Sequence, residues 1–185
     1  LDSTKGDWYV YLADLYMERP YVKGALISLE KAVSLERDNK ELYIKLGKMF
    51  FEVKNREKSF QYLNEALKLD PNNADAFFYR GYNYREMNKP DKAIENYEKA
   101  IEINPQYFDA YLQLGLLYAD QKNPRAEGYY SSALHIKPGD ERALYARGMY
   151  YQAVDSTQKA IADYQDILKR YPMDSSANYN LGYNY

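Results

Sequence analysis

The stretch DAYLQLGLLY, residues 109–118, has the pattern of an apolar helix with a glycine, Gly115, in its interior. Glycine inside a helix costs about 0.5–1 kcal/mol relative to alanine, so a helix that needed only apolar residues would not place one there. The cost is acceptable where a second helix passes too closely for a side chain. The counterparts of Gly115 elsewhere in the chain decide whether this is the case.

Small residues and prolines recur along the chain with a nearly constant spacing. Four series share a period of 34 residues, and each contains one interval of 33. The series are Gly47, Gly81, Gly115, Gly148 and Gly182; Pro71, Pro105, Pro138 and Pro172; Ala25, Ser59, Ala93, Ala126 and Ala160; and Ala32, Ala66, Ala100 and Ala133. One shared period with one shared deletion indicates an internal structural repeat.

Each repeat carries the pattern of two helices. In the third repeat, Tyr79–Met87 and Ala93–Ile103 have apolar residues at helical spacing, and the turn-forming segment MNKPDK lies between them. Pro90 suits the first turn of the second helix. Such a hairpin cannot bury its apolar face alone, so neighbouring hairpins must stack. We therefore expect Gly115 and Ala133 to mark a helix crossing with no room for a side chain larger than a methyl group.

The deletion falls in the fourth repeat, within the segment DQKNPRAE at 120–127. A residue lost inside a helix would rotate everything beyond it by about 100°. We therefore expect the turn between the two helices to absorb the loss.

The spacing and the residue types resemble the tetratricopeptide-repeat (TPR) family. The fourth repeat shows the family pattern in Tyr111, Leu114, Gly115, Tyr118, Ala126, Tyr130, Ala133 and Pro138. The resemblance implies an all-α, right-handed α-solenoid of helix–turn–helix repeats, with five full repeats and a truncated sixth. We place them in a single TPR domain, 1–185, with repeats at 6–39, 40–73, 74–107, 108–140 and 141–174 and a partial repeat at 175–185.

Composition and charge argue against several classes of function. The net charge of −2 gives no electrostatic footprint for nucleic acid, and the lack of cysteine excludes thiol chemistry and thiolate metal sites. The one histidine, His135, cannot form a conventional zinc site alone. Charge spacing such as Glu95 with Lys99 is typical of solvated helix faces. We predict no catalytic residues, no metal, no cofactor and no membrane insertion by this segment.

The TPR resemblance also indicates where a partner would bind. In this family the first helices of successive repeats line a concave groove. We predict a partner-binding groove formed by Tyr11, Asp14, Ile44, Lys45, Lys48, Phe78, Tyr79, Tyr82, Leu112, Gln113, Leu116, Tyr145 and Met149. Its expected partner is an amphipathic helix or an extended peptide of another protein, with hydrophobic anchors. Packing between repeats is the alternative explanation for part of this stripe.

Other roles stay open at this stage: a structural segment that self-assembles through uncapped ends, or a regulatory module attached to an enzyme outside these residues. The last helix presents Ala177, Leu181 and Tyr185 without a second helix, so we expect a longer natural protein or a homo-oligomer through this end. Trp8 is expected to cover the edge of the first repeat. The repeats resemble those of bacterial TPR proteins, which include exported lipoproteins. A cytoplasmic and an exported (periplasmic or outer-membrane) location therefore both stay open.

Overall fold

Helices account for all the regular secondary structure in the part of the chain that the structure, a computed structural model, describes: residues 3–18 and 21–184, with side chains for 6–18 and 21–184. The helices are α1 (Ser3–Glu18), α2 (Val22–Leu35), α3 (Lys40–Glu52), α4 (Arg56–Leu69), α5 (Ala74–Glu86), α6 (Pro90–Ile103), α7 (Phe108–Asp120), α8 (Arg125–Ile136), α9 (Glu141–Ala153), α10 (Thr157–Arg170) and α11 (Ser175–Tyr183). The predicted all-α fold is confirmed.

Consecutive helices pair into helix–turn–helix hairpins: hairpin 1 (α1–α2), hairpin 2 (α3–α4), hairpin 3 (α5–α6), hairpin 4 (α7–α8) and hairpin 5 (α9–α10). The chain divides into two compact units, Leu1–Ile103 and Asn104–Tyr185. In the first unit hairpin 2 contacts both hairpin 1 and hairpin 3, and in the second unit hairpins 4 and 5 are in contact while α11 packs on α10. The single domain and its repeat boundaries stay predictions.

Polar side chains at the ends of the loops explain where several helices begin. Each accepts a hydrogen bond from the backbone N–H three residues later, at donor–acceptor distances from 2.6 to 3.3 Å. These capping residues are Asn39, Asn55, Asn73, Asp140 and Asp174. A cap of this kind satisfies one of the free N–H groups of the first turn. Helix α6 begins at Pro90, as predicted.

Gly115 lies where α7 comes close to α8. A Cβ atom added to Gly115 would lie 2.5 Å from Cε1 of Tyr130, whose side chain is fully buried. The same contact joins Gly47 to Leu63, Gly81 to Tyr97 and Gly148 to Tyr164. The predicted close helix contact is confirmed, but one detail was wrong. The three atoms nearest to an added Cβ belong to Tyr130, so even a methyl group is too large, because the tyrosine ring fills the space in front of the glycine.

The deletion in hairpin 4 lies in the helix start and not in the turn. The turn between α7 and α8 has four residues, 121–124, whereas the turn in hairpin 3 has three, 87–89. Helix α8 has 12 residues, and α6 has 14. The prediction that the turn absorbs the deletion was wrong. A shorter first helical turn of α8 is tolerated because the residues after Ala126 keep their position around the helix axis.

Candidate protein-interaction surface

The first helices of hairpins 1 to 3 are linked side by side within the first unit. Lys45 of α3 forms an ion pair with Asp14 of α1. Helix α3 also contacts α5 directly, where Nζ of Lys48 lies 5.7 Å from the centre of the Tyr79 ring. Residues three or four apart share a helix face, so Tyr11 lies beside Asp14, and Ile44 lies beside Lys48. Several of the predicted groove residues are therefore brought together on one surface.

The exposure of these side chains is uneven. Tyr11 is 56% exposed, and Asp14 and Lys48 are also exposed. Ile44, Lys45, Tyr79 and Tyr82 are half-buried. We call these seven residues the first-unit face. Phe78 does not belong to it, because its side chain is 7% exposed and packs on Tyr97, with the ring centres 5.5 Å apart.

Charge on the first-unit face is mixed with aromatic rings. Asp14 and Lys45 neutralise each other. Lys48 forms no ion pair within the part of the chain that the structure describes, and the ring of Tyr79 is its neighbour. The Arg85 guanidinium lies 5.7 Å from the centre of the Tyr82 ring. A cation over an aromatic ring contributes about 0.5–1 kcal/mol at an exposed site. The surface can thus offer rings and positive charge together.

Trp8, which the groove prediction does not include, extends this surface. Its side chain is 58% exposed, and its ring centre lies 5.9 Å from that of Tyr11. The prediction that Trp8 covers the edge of the first repeat stays a prediction. An open cavity of about 630 Å³ is lined by Tyr9, Leu12, Tyr16 and other residues of hairpin 1, and Trp8 is not among them. The spacing of three residues between Trp8 and Tyr11 was the available signal, because such residues share a helix face.

In the second unit, too, some of the predicted groove residues are buried and others are partly or fully exposed. Leu112 and Gln113 are buried and offer little surface to a partner. Leu116 and Tyr145 are half-buried, and Met149 is 45% exposed; we call these three the second-unit face. The hydroxyl of Tyr145 accepts a hydrogen bond of 3.0 Å from Nδ2 of Asn180, which links α9 to α11.

Helix α11 presents aromatic side chains to solvent. Tyr179 is 75% and Tyr183 77% exposed, whereas Ala177 is buried and Leu181 half-buried. Tyr185, which the sequence placed on the same apolar face, lies outside the described residues. This helix therefore adds an exposed aromatic surface to the two faces described above.

Chemistry-bearing groups are sparse among the residues with described positions. Within this set, no three or more His, Asp or Glu side chains lie where they could hold a metal ion. His135 is exposed near the end of α8. Among the described helices, none has both the length and the apolar character needed to cross a membrane.

Family models identify the class of protein to which these hairpins belong. Models of the tetratricopeptide repeat match residues 40–73, 62–95 and 145–183, and a model of the TPR repeat matches residues 81–122. The chain belongs to the TPR family. Proteins of this family are typically protein-interaction scaffolds and are generally non-catalytic. A comparison with curated protein sequences gave no match.

Solved structures of TPR proteins resemble this chain. A MamA structure is 25% identical, with a TM-score of 0.77 over 89% of this chain and 97% of that chain. A tetratricopeptide repeat protein from Parabacteroides merdae is 18% identical, with a TM-score of 0.82 over 98% of this chain and 73% of that one. YrrB, described as a TPR protein with an unusual peptide-binding site, is 21% identical, with a TM-score of 0.70 over 92% and 89% of the two chains. These likenesses support the fold.

Proposed function

We propose that this chain is a non-catalytic interaction module that binds a peptide or an amphipathic helix of a partner protein on the first-unit face. The observation that carries the proposal is the exposure of Trp8 and Tyr11 next to the linked helices α1, α3 and α5. Exposed aromatic side chains on a rigid helical surface are typical of protein-binding sites. The peptide-binding site named for YrrB is a precedent within the same fold.

The chemistry of the face suggests which partner side chains would bind. Trp8, Tyr11, Tyr79 and Tyr82 offer ring surface for hydrophobic anchors of the partner. Lys48 offers a positive charge that no described carboxylate neutralises. The expected ligand is therefore a short segment with apolar residues at helical or extended spacing and an acidic residue beside them.

The experiment compares three forms of the protein. The face variant carries Trp8→Ala, Tyr11→Ala and Lys48→Glu, all at exposed positions. The matched control carries Val53→Ala, Leu69→Ala and Tyr171→Ala, which removes exposed apolar surface elsewhere. Peptides selected from a displayed library on the wild-type protein are synthesised, and their affinity for each form is measured by calorimetry after circular dichroism has verified helical content.

We expect the selected peptides to bind the face variant at least tenfold more weakly than the wild type, and to bind the control as tightly as the wild type. An affinity for the face variant equal to that for the wild type would overturn the proposal.

The second candidate is self-association through α11, which the exposure of Tyr179 and Tyr183 favours. It gains support if the selection yields no peptide while the mass measured by light scattering rises with protein concentration and the replacements Tyr179→Ser and Tyr183→Ser abolish the rise.

A further inference from the structure

A small polar cavity of about 180 Å³ opens on hairpin 3. Arg80, Lys92, Lys99 and Asn96 are among the residues that line it, together with one carboxylate, Glu95. Since successive helix residues are rotated by about 100°, Arg80 and its neighbour Tyr84 lie on the opposite side of α5 from Tyr79 and Tyr82. The cavity is therefore separate from the first-unit face.

Hairpin 5 shows how the same positions are occupied elsewhere in the chain. Each of its residues lies 67 positions after its counterpart in hairpin 3. Arg147, the counterpart of Arg80, donates two hydrogen bonds to Asp163, from Nε at 2.9 Å and from Nη2 at 2.7 Å. Lys159, the counterpart of Lys92, donates to Glu127 at 2.8 Å. Both cations of hairpin 5 thus have a carboxylate.

In hairpin 3 both cations are kept, but both carboxylates are missing. Asn96 occupies the position of Asp163. Phe60, in α4, occupies the position of Glu127, which lies in α8. The ring of Phe60 packs on Tyr84, with 4.8 Å between the ring centres. Hairpin 3 therefore lacks the two carboxylates that close the network of hairpin 5, and the cations lining its cavity outnumber the lining carboxylate Glu95.

The polar atoms around the cavity show the consequence. Nε of Arg80 is buried and has no hydrogen-bond partner among the described residues, and its guanidinium lies 5.7 Å from the centre of the Phe77 ring. Asn96 is 4% exposed and its Oδ1 is also without a partner, although its Nδ2 donates to the carbonyl of Lys92. Lys92 lies over Tyr84 and forms no ion pair with any described residue. The Nε–H of Arg80 is a buried donor without an acceptor, so an arriving acceptor is favoured at this atom.

We propose that this cavity binds the carboxylate groups of acidic ligands, with Arg80 and Lys92 in the roles that Arg147 and Lys159 have toward Asp163 and Glu127. A guanidinium presents paired N–H donors that match the two oxygens of a carboxylate. Lys99 is already paired with Glu102 at 2.6 Å and adds positive charge without being needed for contact. The volume fits carboxyl-bearing side chains or a small dicarboxylic acid and not a large ligand. The fitting ligand has two carboxylates a few bonds apart.

The test follows the Nε–H resonance of Arg80 in ¹⁵N-labelled protein, assigned by its loss in Arg80→Lys. Two probes are titrated at constant ionic strength: glutarate, and the peptide acetyl-Glu-Gly-Glu-amide. Glutaramide and sodium chloride are the matched uncharged and simple-salt controls. A saturable shift with either probe, absent with both controls, is the expected result. A tighter fit for the peptide would identify acidic side chains of a partner protein as the source of the carboxylates, and a tighter fit for glutarate a free acid.

Substitutions that place the missing carboxylates in hairpin 3 or beside it are the decisive control. Asn96→Asp provides the carboxylate that hairpin 5 has in Asp163, so it should weaken binding of the probes at least tenfold. Phe60→Glu provides the other carboxylate and should weaken binding independently. Gln121→Glu adds the same charge at an exposed position in the second unit and should leave affinity unchanged. No saturable shift with either probe, or equal affinity in Asn96→Asp and Gln121→Glu, would overturn the proposal.

Discussion

Hairpins 3 and 5 have the same helix packing and different charge networks. In both, the glycine of the first helix faces a fully buried tyrosine of the second. A Cβ added to Gly81 would lie 2.8 Å from the Tyr97 ring, and one added to Gly148 would lie 2.9 Å from Tyr164. The spacing of the two helices therefore depends on one small and one large residue, whatever charges lie beside them.

The charges beside this contact vary because they depend on single positions in neighbouring helices. Arg147 has a bidentate partner in Asp163 and a third contact, 3.1 Å from Nη1 to Oγ of Ser131. These hydrogen bonds to Asp163 raise the pKa of Arg147. Arg80 has no such partner, since Asn96 replaces the aspartate. Similar packing therefore coexists with a closed polar network in one hairpin and an open one in the other.

The largest expected difference between the two hairpins follows removal of their arginines. Arg147→Met leaves Asp163, which is 3% exposed, buried without its partner, and should destabilise hairpin 5 by about 3–5 kcal/mol. Arg80→Met removes a ring contact and also a buried Nε–H that has no acceptor, so it should cost less than about 1 kcal/mol. Native-state hydrogen exchange, read from amides of α6 and α10, measures each hairpin separately. Equal effects in the two hairpins would contradict the assignment of different networks.

A smaller effect, equal in both hairpins, is expected when the glycines are enlarged. Gly81→Val and Gly148→Val should each destabilise their hairpin by about 1–3 kcal/mol, because the added atoms overlap a buried ring. Gly128 is the matched control: it lies exposed within α8, and an added Cβ would meet nothing within 4 Å. Gly128→Ala should instead stabilise α8 by about 0.5–1 kcal/mol. Urea unfolding followed by circular dichroism measures the free energy of unfolding of all three variants. A Gly81→Val variant more stable than the wild type would contradict the close packing of Gly81 against Tyr97.

The smallest expected effect concerns acid pH. Hydrogen bonds from Lys159 at 2.8 Å and from the Tyr151 hydroxyl at 2.9 Å lower the pKa of Glu127 below its ordinary value of 4.5. A carboxylate with a lower pKa in the folded state stabilises the fold above its ordinary pKa and loses this contribution as pH falls through the folded-state value. Between pH 6 and pH 3, the wild type should lose more free energy of unfolding than Glu127→Gln. The difference should be under about 1 kcal/mol, because the pair is largely exposed.

The control for the pH prediction is Glu57→Gln, which removes an exposed carboxylate from the first turn of α4. The two unfolding curves are compared at each pH. A Glu127→Gln profile that coincides with the wild type, within the error of the control, would show that the contacts to Lys159 and Tyr151 do not form in solution.

Much of the fold could be predicted because it repeats. The period of 34 residues predicted helices that pair with their neighbours along the chain, and Pro90 predicted the start of α6. The deletion in hairpin 4 was placed in the turn, whereas the structure shortens the start of α8. Spacing alone cannot distinguish these two, since both preserve the face of the helix that follows.

The candidate site was less predictable than the fold. Phe78 and Tyr79 are neighbours in the sequence and both were placed in the groove, yet Phe78 is buried and Tyr79 only half-buried. Trp8 lies beside Tyr11, although the groove prediction does not include it. Position around a helix axis follows from the sequence, but exposure depends on which neighbouring side chain covers it.

The sequence by itself determined the helical hairpins and the small residues at their crossings, because both follow from a short-range period and from residue size. The tertiary structure decided that Tyr130 fills the space before Gly115 and that Arg147 has a carboxylate partner where Arg80 has none. These contacts join residues on different helices. Their formation depends on how the helices pack, which no local pattern of the chain encodes.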